Sequence, residues 1–369
     1  MIHIFIGTKA QYVKTAPVIA ELDRRGIAYN LIDSGQHGNL APQFRSYFGI
    51  RQPDVSLGTT GRDITSVFVL VKWLAGMVLT ACFRPRWIKK TLFKNEPGIC
   101  CIHGDTPTTL ISLLLAKRAG LQVAHLESGL RSYNIMNPFP EEIIRIIVMR
   151  FADFLFTPGD WAKSNLEKMK VKGKIVLLSE NTNLDSIKLV QARLNTQDSS
   201  CVPRQPFVLA TIHRAETLLD KKRLRFAVES IQRIAAKHQV VFCMHPPTAR
   251  ALRTTNLINA IANHPDITVQ ELLPYPQFIH YISNSLFVIT DGGSIQEECY
   301  YLNKPCLLMR AATERQEGIG ANALLCAFDK TKVDFFLNNL PSFCSSGFIP
   351  TTLSPSSQIV DLLQNSCHA

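Results

Sequence analysis

No run of about 18–20 uninterrupted apolar residues occurs in the 369-residue sequence, so no integral membrane segment is expected. The nearest stretch, SVFVLVKWLAGMVLTACF (66–83), is broken by Lys72 and runs into the basic RPRWIKK. It reads as a buried helix with a solvated end, with contact at an anionic membrane surface as the alternative. The ten cysteines include no C-x-x-C pair. Their scatter suggests no zinc site and points to reduced, buried thiols in a cytoplasmic protein. No nucleic-acid motif and no basic arm is present. The formal charge of +11 is spread along the chain, which fits a solvated surface and helps to draw in a phosphorylated substrate, so nucleic acid is not expected as a partner. No charged segment precedes the apolar part of MIHIFIGTKAQ, which reads as a first strand and not a signal peptide. A Walker A loop is missing as well, because GTKAQYVK (7–14) lacks the GK[ST] ending.

What the sequence does contain is alternation. Strands are expected at 2–8, 27–35, 98–105, 121–128 and 152–158, with helices at 9–26 and 106–120, the latter with Thr106 as N-cap and Pro107 at its first position. A second series has strands at 206–213, 239–245, 286–291 and 305–310, with helices at 220–238 and 292–303. Short apolar strands separated by helices predict parallel sheets covered on both faces. The polar stretch 190–205, VQARLNTQDSSCVPRQ, reads as a linker, and the tail SQIVDLLQNSCHA as a last helix. The expected fold class is therefore α/β in two halves. The first spans 1–188, with the 355–369 helix packing back on it, and the second spans 189–354.

The polar residues fall at strand ends. Asp105 and Glu127 close two strands of the first half, and His213 and Asp291 close two of the second. Ligands of open parallel sheets bind outside the carboxyl ends of the strands, so with two sheets facing each other these side chains can line one cleft. Each has an ordinary alternative. Asp105 can cap a helix, Glu127 can pair with Arg131 at the surface, and His213 can be a satisfied core histidine. Glu141 and Glu142 follow Pro138 and Pro140 at a helix start, where acid suits the dipole, and Glu141 stands four residues from Arg145. The stretch TDGGSIQEE (290–298) is more specific. Gly292, Gly293 and Ser294 lie at a strand-to-helix turn whose free N–H groups suit phosphate, and a carboxylate one turn further on, Glu297 or Glu298, can accept from ribose hydroxyls. Lys9 and Lys14 flank the first strand–helix turn and can face phosphates.

Seven stretches, GTKAQYVKTAPVI, HGDT, HLESGLRS, PFPEE..R, HRAET, TDGGSIQEE and MRAATERQEG, appear in the order found in bacterial UDP-N-acetylglucosamine 2-epimerases. The chain resembles that family over roughly residues 1–325. The resemblance implies the glycosyltransferase-B fold, two Rossmann-like domains facing across a cleft with a nucleotide sugar between them. It also implies a homodimer, no cofactor or metal, and a role in polysaccharide biosynthesis. HLESGLRS followed by PFPEE is similar to the non-hydrolysing branch, which interconverts UDP-GlcNAc and UDP-ManNAc. The implied chemistry is anti elimination of UDP with loss of the C2 proton, giving 2-acetamidoglucal, and re-addition with protonation on the other face. By motif match Asp105, Glu127 and Glu141 would share the acid and base roles, which call for carboxylates in different protonation states. His213, Lys9, Lys14 and Arg315 would stabilise the departing diphosphate, Gly292, Gly293 and Ser294 would cradle it, Glu298 would hold the ribose, Phe278 would lie near the uracil, and Arg145 would help bind substrate.

The sequence departs from the family pattern at named places. GTRPE is here GTKAQ, so Lys9 and Gln11 replace an arginine and a glutamate, and a lysine lacks the bidentate fork. Ile144 replaces an asparagine, Thr217 stands in HRAET, TDSGG has become TDGGS and TGNT has become SENT (179–182). SGQHG (34–38) partly matches the lining of a regulatory UDP-GlcNAc site, but Val67 stands where an arginine is expected. These changes leave the acids intact and touch substrate-holding positions, so a diacetamido or deoxy UDP-sugar is open as substrate. The competing readings are a hydrolysing 2-epimerase, a glycosyltransferase of the same fold, and a non-catalytic nucleotide-sugar sensor.

Overall fold

The computed structural model describes residues 1–58, 67–135, 139–194, 202–345, 348 and 353–367. Pro138 of the PFPEE stretch and residues 195–201 of the expected linker lie outside them, as does the side chain of Val67. The chain divides into two compact units, Met1–Leu189 with Thr351–Ala369, and Val190–Pro350.

The first unit is built on a seven-stranded parallel sheet. Its strands are β1 (Ile2–Ile6), β2 (Tyr29–Asp33), β3 (Val55–Ser56), β4 (Ile99–His103), β5 (Gln122–Leu126), β6 (Phe154–Thr157) and β7 (Lys174–Leu177), in the order β3-β2-β1-β4-β5-β6-β7. Every residue of β1, β2 and β4 is buried, as expected where helices cover both faces. Phe5, Ile32, Ile102, Val123 and Leu155 pack there with Val148 and Leu166 from flanking helices. The second unit has six parallel strands, β8 (Phe207–Thr211), β9 (Gln239–Cys243), β10 (Ile267–Gln270), β11 (Val288–Thr290), β12 (Cys306–Leu308) and β13 (Ala323–Leu325), in the order β10-β9-β8-β11-β12-β13. In both sheets the strand order reverses beside the first strand, at β1/β4 and β8/β11. A doubly wound sheet has its ligand crevice at such switch points.

The local signals act as their chemistry dictates. Thr106 caps the Pro107–Ala119 helix in a reciprocal box with Thr109, and Thr8 caps Lys9–Arg24 with Gln11. Asp220 caps Lys221–Ala235 through the N–H groups of Lys222 and Arg223. The Pro355–Cys367 helix belongs to the first unit. Arg25 donates to Asp361 (2.5 Å) and Ser357 Oγ (2.6 Å), and Ser354 Oγ donates to Asp185 (2.7 Å). Eight described cysteines are free thiols, six of them buried.

Two expectations are corrected. The helix Asn183–Leu194 occupies the first five residues of the expected linker. The hydrophobic 66–83 stretch is a helix, Val67–Phe83, but it is buried on one face only, since Ala81 is 2% exposed while Phe68 and Phe83 are 78% and 79% exposed. Among the described residues no single helix is long and apolar enough to cross a membrane.

Candidate active site

In the first unit the polar residues gather where β4 and β5 end. His103 and Leu126 are register partners, so Asp105 and Glu127 emerge from adjacent strands. Glu127 takes φ +61°, the left-handed region that a non-glycine residue occupies at a cost. Its Oε1 is 2.6 Å from Lys14 Nζ and accepts from Asn181 Nδ2 at 3.2 Å, and its Oε2 is 3.3 Å from His103 Nε2. The Lys14 and Glu127 side chains are 3% and 6% exposed, so this is a buried ion pair between the first helix and the end of β5. Glu127 is therefore not a surface partner of Arg131. Arg131 instead pairs with buried Glu142 at 2.5 Å.

Asp105 does not cap the helix, because Thr106 does. Its carboxylate lies 2.5 Å from Arg145, which also reaches Glu142 at 3.4 Å. Burial opposes charge on Glu142, yet Arg131, the Ser132 N–H and Arg145 hold its pKa below the usual range. Glu141 stands half-buried at the first position of the same Glu141–Phe151 helix. Gln11 joins the strand ends. Its amide nitrogen lies 2.9 Å from the His103 carbonyl and 3.1 Å from both Thr106 and Thr109 hydroxyls, and its oxygen accepts from the Thr8 N–H. A glutamate here could not donate to that carbonyl, so Gln11 changes the chemistry of the turn without emptying it. Lys9 is anchored by its N–H to His37 Nδ1 at 3.0 Å, and its ammonium lies 5.9 Å from the Phe44 ring.

His125, two residues before Glu127, donates from Nε2 to the Gly104 carbonyl at 2.7 Å, tying β5 to the Asp105 turn. Burial holds its pKa down to about 4, and the Gly104 bond opposes the shift only in part. His3 is likewise held at about 4 by burial, against the opposing bond to the Glu96 carbonyl. Both imidazoles are neutral in the native state above about pH 4, while the unfolded chain takes up protons below the ordinary histidine value of 6.5. Stability is therefore full above that value. It falls as pH drops from 6.5 to about 4, by up to about 3 kcal/mol for each histidine, and is level below. Urea titrations across this window check the slope, and a flat midpoint contradicts it.

In the second unit the site forms where β8, β11 and β12 end. Asp291, fully buried, accepts from the N–H groups of His213 (2.9 Å) and Arg214 (3.0 Å). Burial raises its pKa and these bonds oppose the rise. The His213 ring, 30% exposed, stacks on His245 at 4.6 Å. Gly292 caps the Gly293–Tyr301 helix, and a Cβ there would lie 2.8 Å from His213 Cε1 and 3.1 Å from Ile295 Cδ1. Gly292→Ala is expected to push the imidazole aside, costing about 1–3 kcal/mol of stability. The same change is expected to lower turnover, read by thermal melts beside kcat. Unchanged values in both would show that the ring needs no such clearance.

A charged cluster backs this turn. Arg315 is 2.9 Å from Glu297, Arg310 is 2.9 Å from Glu314 and 3.2 Å from Glu216, and Arg214 is 3.0 Å from Glu216. Glu297 is fully buried, and Glu298, Glu314, Arg310 and Arg315 nearly so. Buried Tyr275 bonds Glu298, and burial, with that carboxylate next, holds the phenol protonated far above its usual range. Phe278 is half-buried on the Tyr275–Asn284 helix, and Ser294 half-buried in the first turn after Gly292. Each unit thus collects its own predicted residues. His103, Asn181, His245, Arg310 and Glu314 were not singled out from sequence, although most lie in or beside the quoted motifs.

Two Rossmann-like units, each with polar side chains at its strand ends, define the glycosyltransferase-B class of fold. The chain belongs to the UDP-N-acetylglucosamine 2-epimerase family, whose model matches residues 20–340. It is 29% identical over 340 residues to a UDP-N-acetylglucosamine 2-epimerase of Methanocaldococcus jannaschii, covering 88% of each chain. It is 30% identical over 333 residues to the UDP-2,3-diacetamido-2,3-dideoxy-D-glucuronate 2-epimerase of Pseudomonas aeruginosa, covering 87% of each. A crystal structure of Methanocaldococcus jannaschii UDP-GlcNAc 2-epimerase in complex with UDP-GlcNAc and UDP superposes with TM-score 0.82 at 26% identity, covering 99% of each chain.

Proposed function

We propose that the protein inverts C2 of a UDP-2-acetamido sugar, UDP-GlcNAc or a diacetamido analogue, and returns the product still attached to UDP. The observation that carries this reading is the buried Lys14–Glu127 pair beside the Asp105–Arg145 pair at adjacent strand ends. Family membership sets the reaction class, and the diacetamido relative supports the wider substrate range. In this reading UDP leaves C1 as a carboxylate removes the C2 proton, and UDP re-adds as another acid delivers a proton to the opposite face. Loss and gain of that proton need carboxyl groups in opposite protonation states. Asp105, Glu127 and Glu141 share these roles. Lys14, expected at the diphosphate, is engaged with Glu127, and it orients that carboxylate and balances its charge. His213, Lys9 and Arg315 favour departure of the diphosphate, Gly292, Gly293 and Ser294 receive it, Glu298 holds the ribose and Phe278 lies against the base. A homodimer belongs to the same reading through the family resemblance.

Incubation with UDP-GlcNAc alone, followed by separation of the products, tests the outcome. A second nucleotide sugar at constant total nucleotide sugar supports epimerisation with retention of UDP. Accumulating UDP and free sugar assign the hydrolysing course. Binding with no turnover of this or a diacetamido UDP-sugar overturns the enzyme reading.

A further inference from the structure

The Val67–Phe83 helix shows two faces of opposite use. Trp73, Leu74 and Met77 pack against the core of the first unit, Ala81 is buried in it, and the Ala81 carbonyl accepts from Arg118 at 3.0 Å. On the other side Phe68, Val71, Lys72, Ala75, Val78, Leu79, Cys82 and Phe83 are all exposed. Their spacing of three and four residues makes one continuous stripe, apolar except for Lys72. Single exposed apolar side chains are ordinary on a protein surface, whereas a contiguous stripe of this length marks a surface that meets something. A 94° bend separates this helix from the turns that end at Leu92. Those turns carry exposed Arg84, Arg86, Trp87, Lys89 and Lys90.

Charge decides what the stripe meets. No acidic residue occurs from 67 to 95. Lys94 pairs with Asp54 at 2.6 Å, while no ion pair among the described residues uses Lys72, Arg84, Arg86, Lys89 or Lys90. A two-fold contact of this patch with itself would offer none of the five cations an acidic partner, because residues 67–95 contain none. A bilayer with anionic headgroups instead offers negative charge at its surface and apolar depth just beneath. An in-plane amphipathic helix with lysine, arginine and tryptophan at its margin fits that environment. We infer that this face of the first unit docks on an anionic phospholipid surface, with the helix lying flat and its inner side kept on the core. The inference stands apart from the catalytic reading, since none of these residues belongs to the candidate site.

Flotation of the full chain with vesicles of phosphatidylcholine plus phosphatidylglycerol, and of phosphatidylcholine alone, tests it. Sedimentation velocity without lipid is run in parallel. Binding is expected to the anionic vesicles only and to weaken with salt. Leu79→Glu/Phe83→Glu should lower it about tenfold or more, because the apolar face that drives insertion is lost. Lys89→Glu and Lys90→Glu should each weaken it by at least about fivefold at low salt. Both side chains of the double variant are exposed, so thermal stability and sedimentation should match the parent. No vesicle binding, equal binding to neutral vesicles, or undiminished binding by the variants overturns the inference. A variant that sediments as a smaller species than the parent also overturns it and assigns the stripe to contact between copies.

Discussion

Glu127→Gln is expected to lower kcat by about 10³-fold and to destabilise the first unit at the same time. The amide keeps the shape of the carboxylate but cannot take up a proton or balance Lys14, whose ammonium lies 2.6 Å away with its side chain only 3% exposed. Removing one partner of a buried ion pair typically costs about 3–5 kcal/mol, because the remaining charge stays out of water. The double variant Glu127→Gln/Lys14→Met separates the two effects. It should recover most of the stability, since both charges are gone, and none of the turnover. Affinity for UDP in the double variant should stay near that of the parent, as the phosphate turn belongs to the other unit. If the double variant regains turnover, Glu127 acts only as the counter-charge of Lys14. Urea denaturation, steady-state kinetics and calorimetry with UDP read the three quantities.

The second large effect is expected at Arg315. Arg315→Leu leaves Glu297, fully buried, without the guanidinium 2.9 Å away, and should cost the second unit about 3–5 kcal/mol. It should also weaken UDP binding, since a cation beside the Gly292–Gly293 turn is removed. Arg315→Lys restores charge but not the fork, and should fall between parent and leucine variant in both readouts. Parent-like stability in Arg315→Leu would show that Glu297 is neutralised by something other than this arginine.

Much of this architecture was legible in the residues, and what was missed follows a pattern. The nine strands expected from sequence are the nine inner strands. The four not expected, β3, β7, β10 and β13, are the two edges of each sheet. Inner strands are covered on both faces and show as continuous apolar runs, while edge strands such as VS and KIVL are short and half-exposed. The helix caps Thr106 and Asp220 were readable or nearly so because a cap is a local event. The Lys14–Glu127 pair was not, because its partners stand 113 positions apart and only the sheet order brings them together. Gln11 is a similar case. As a substitution it reads as a loss of charge, and only the turn geometry shows that its amide binds the His103 carbonyl and two threonines. The Val67–Phe83 helix misled in the other direction. Hydrophobic residues all round a helix normally mean burial, and here one face stays outside.

The most direct measurement is proton NMR of the reaction in D2O with a UDP-2-acetamido sugar as sole substrate. The account predicts a deuteron at C2 of the epimerised product and, as equilibrium is approached, of the recovered starting sugar, with the pyrophosphate linkage intact in both. Epimerisation that keeps the original C2 proton would contradict it. So would transfer of the sugar to an added acceptor without any exchange at C2.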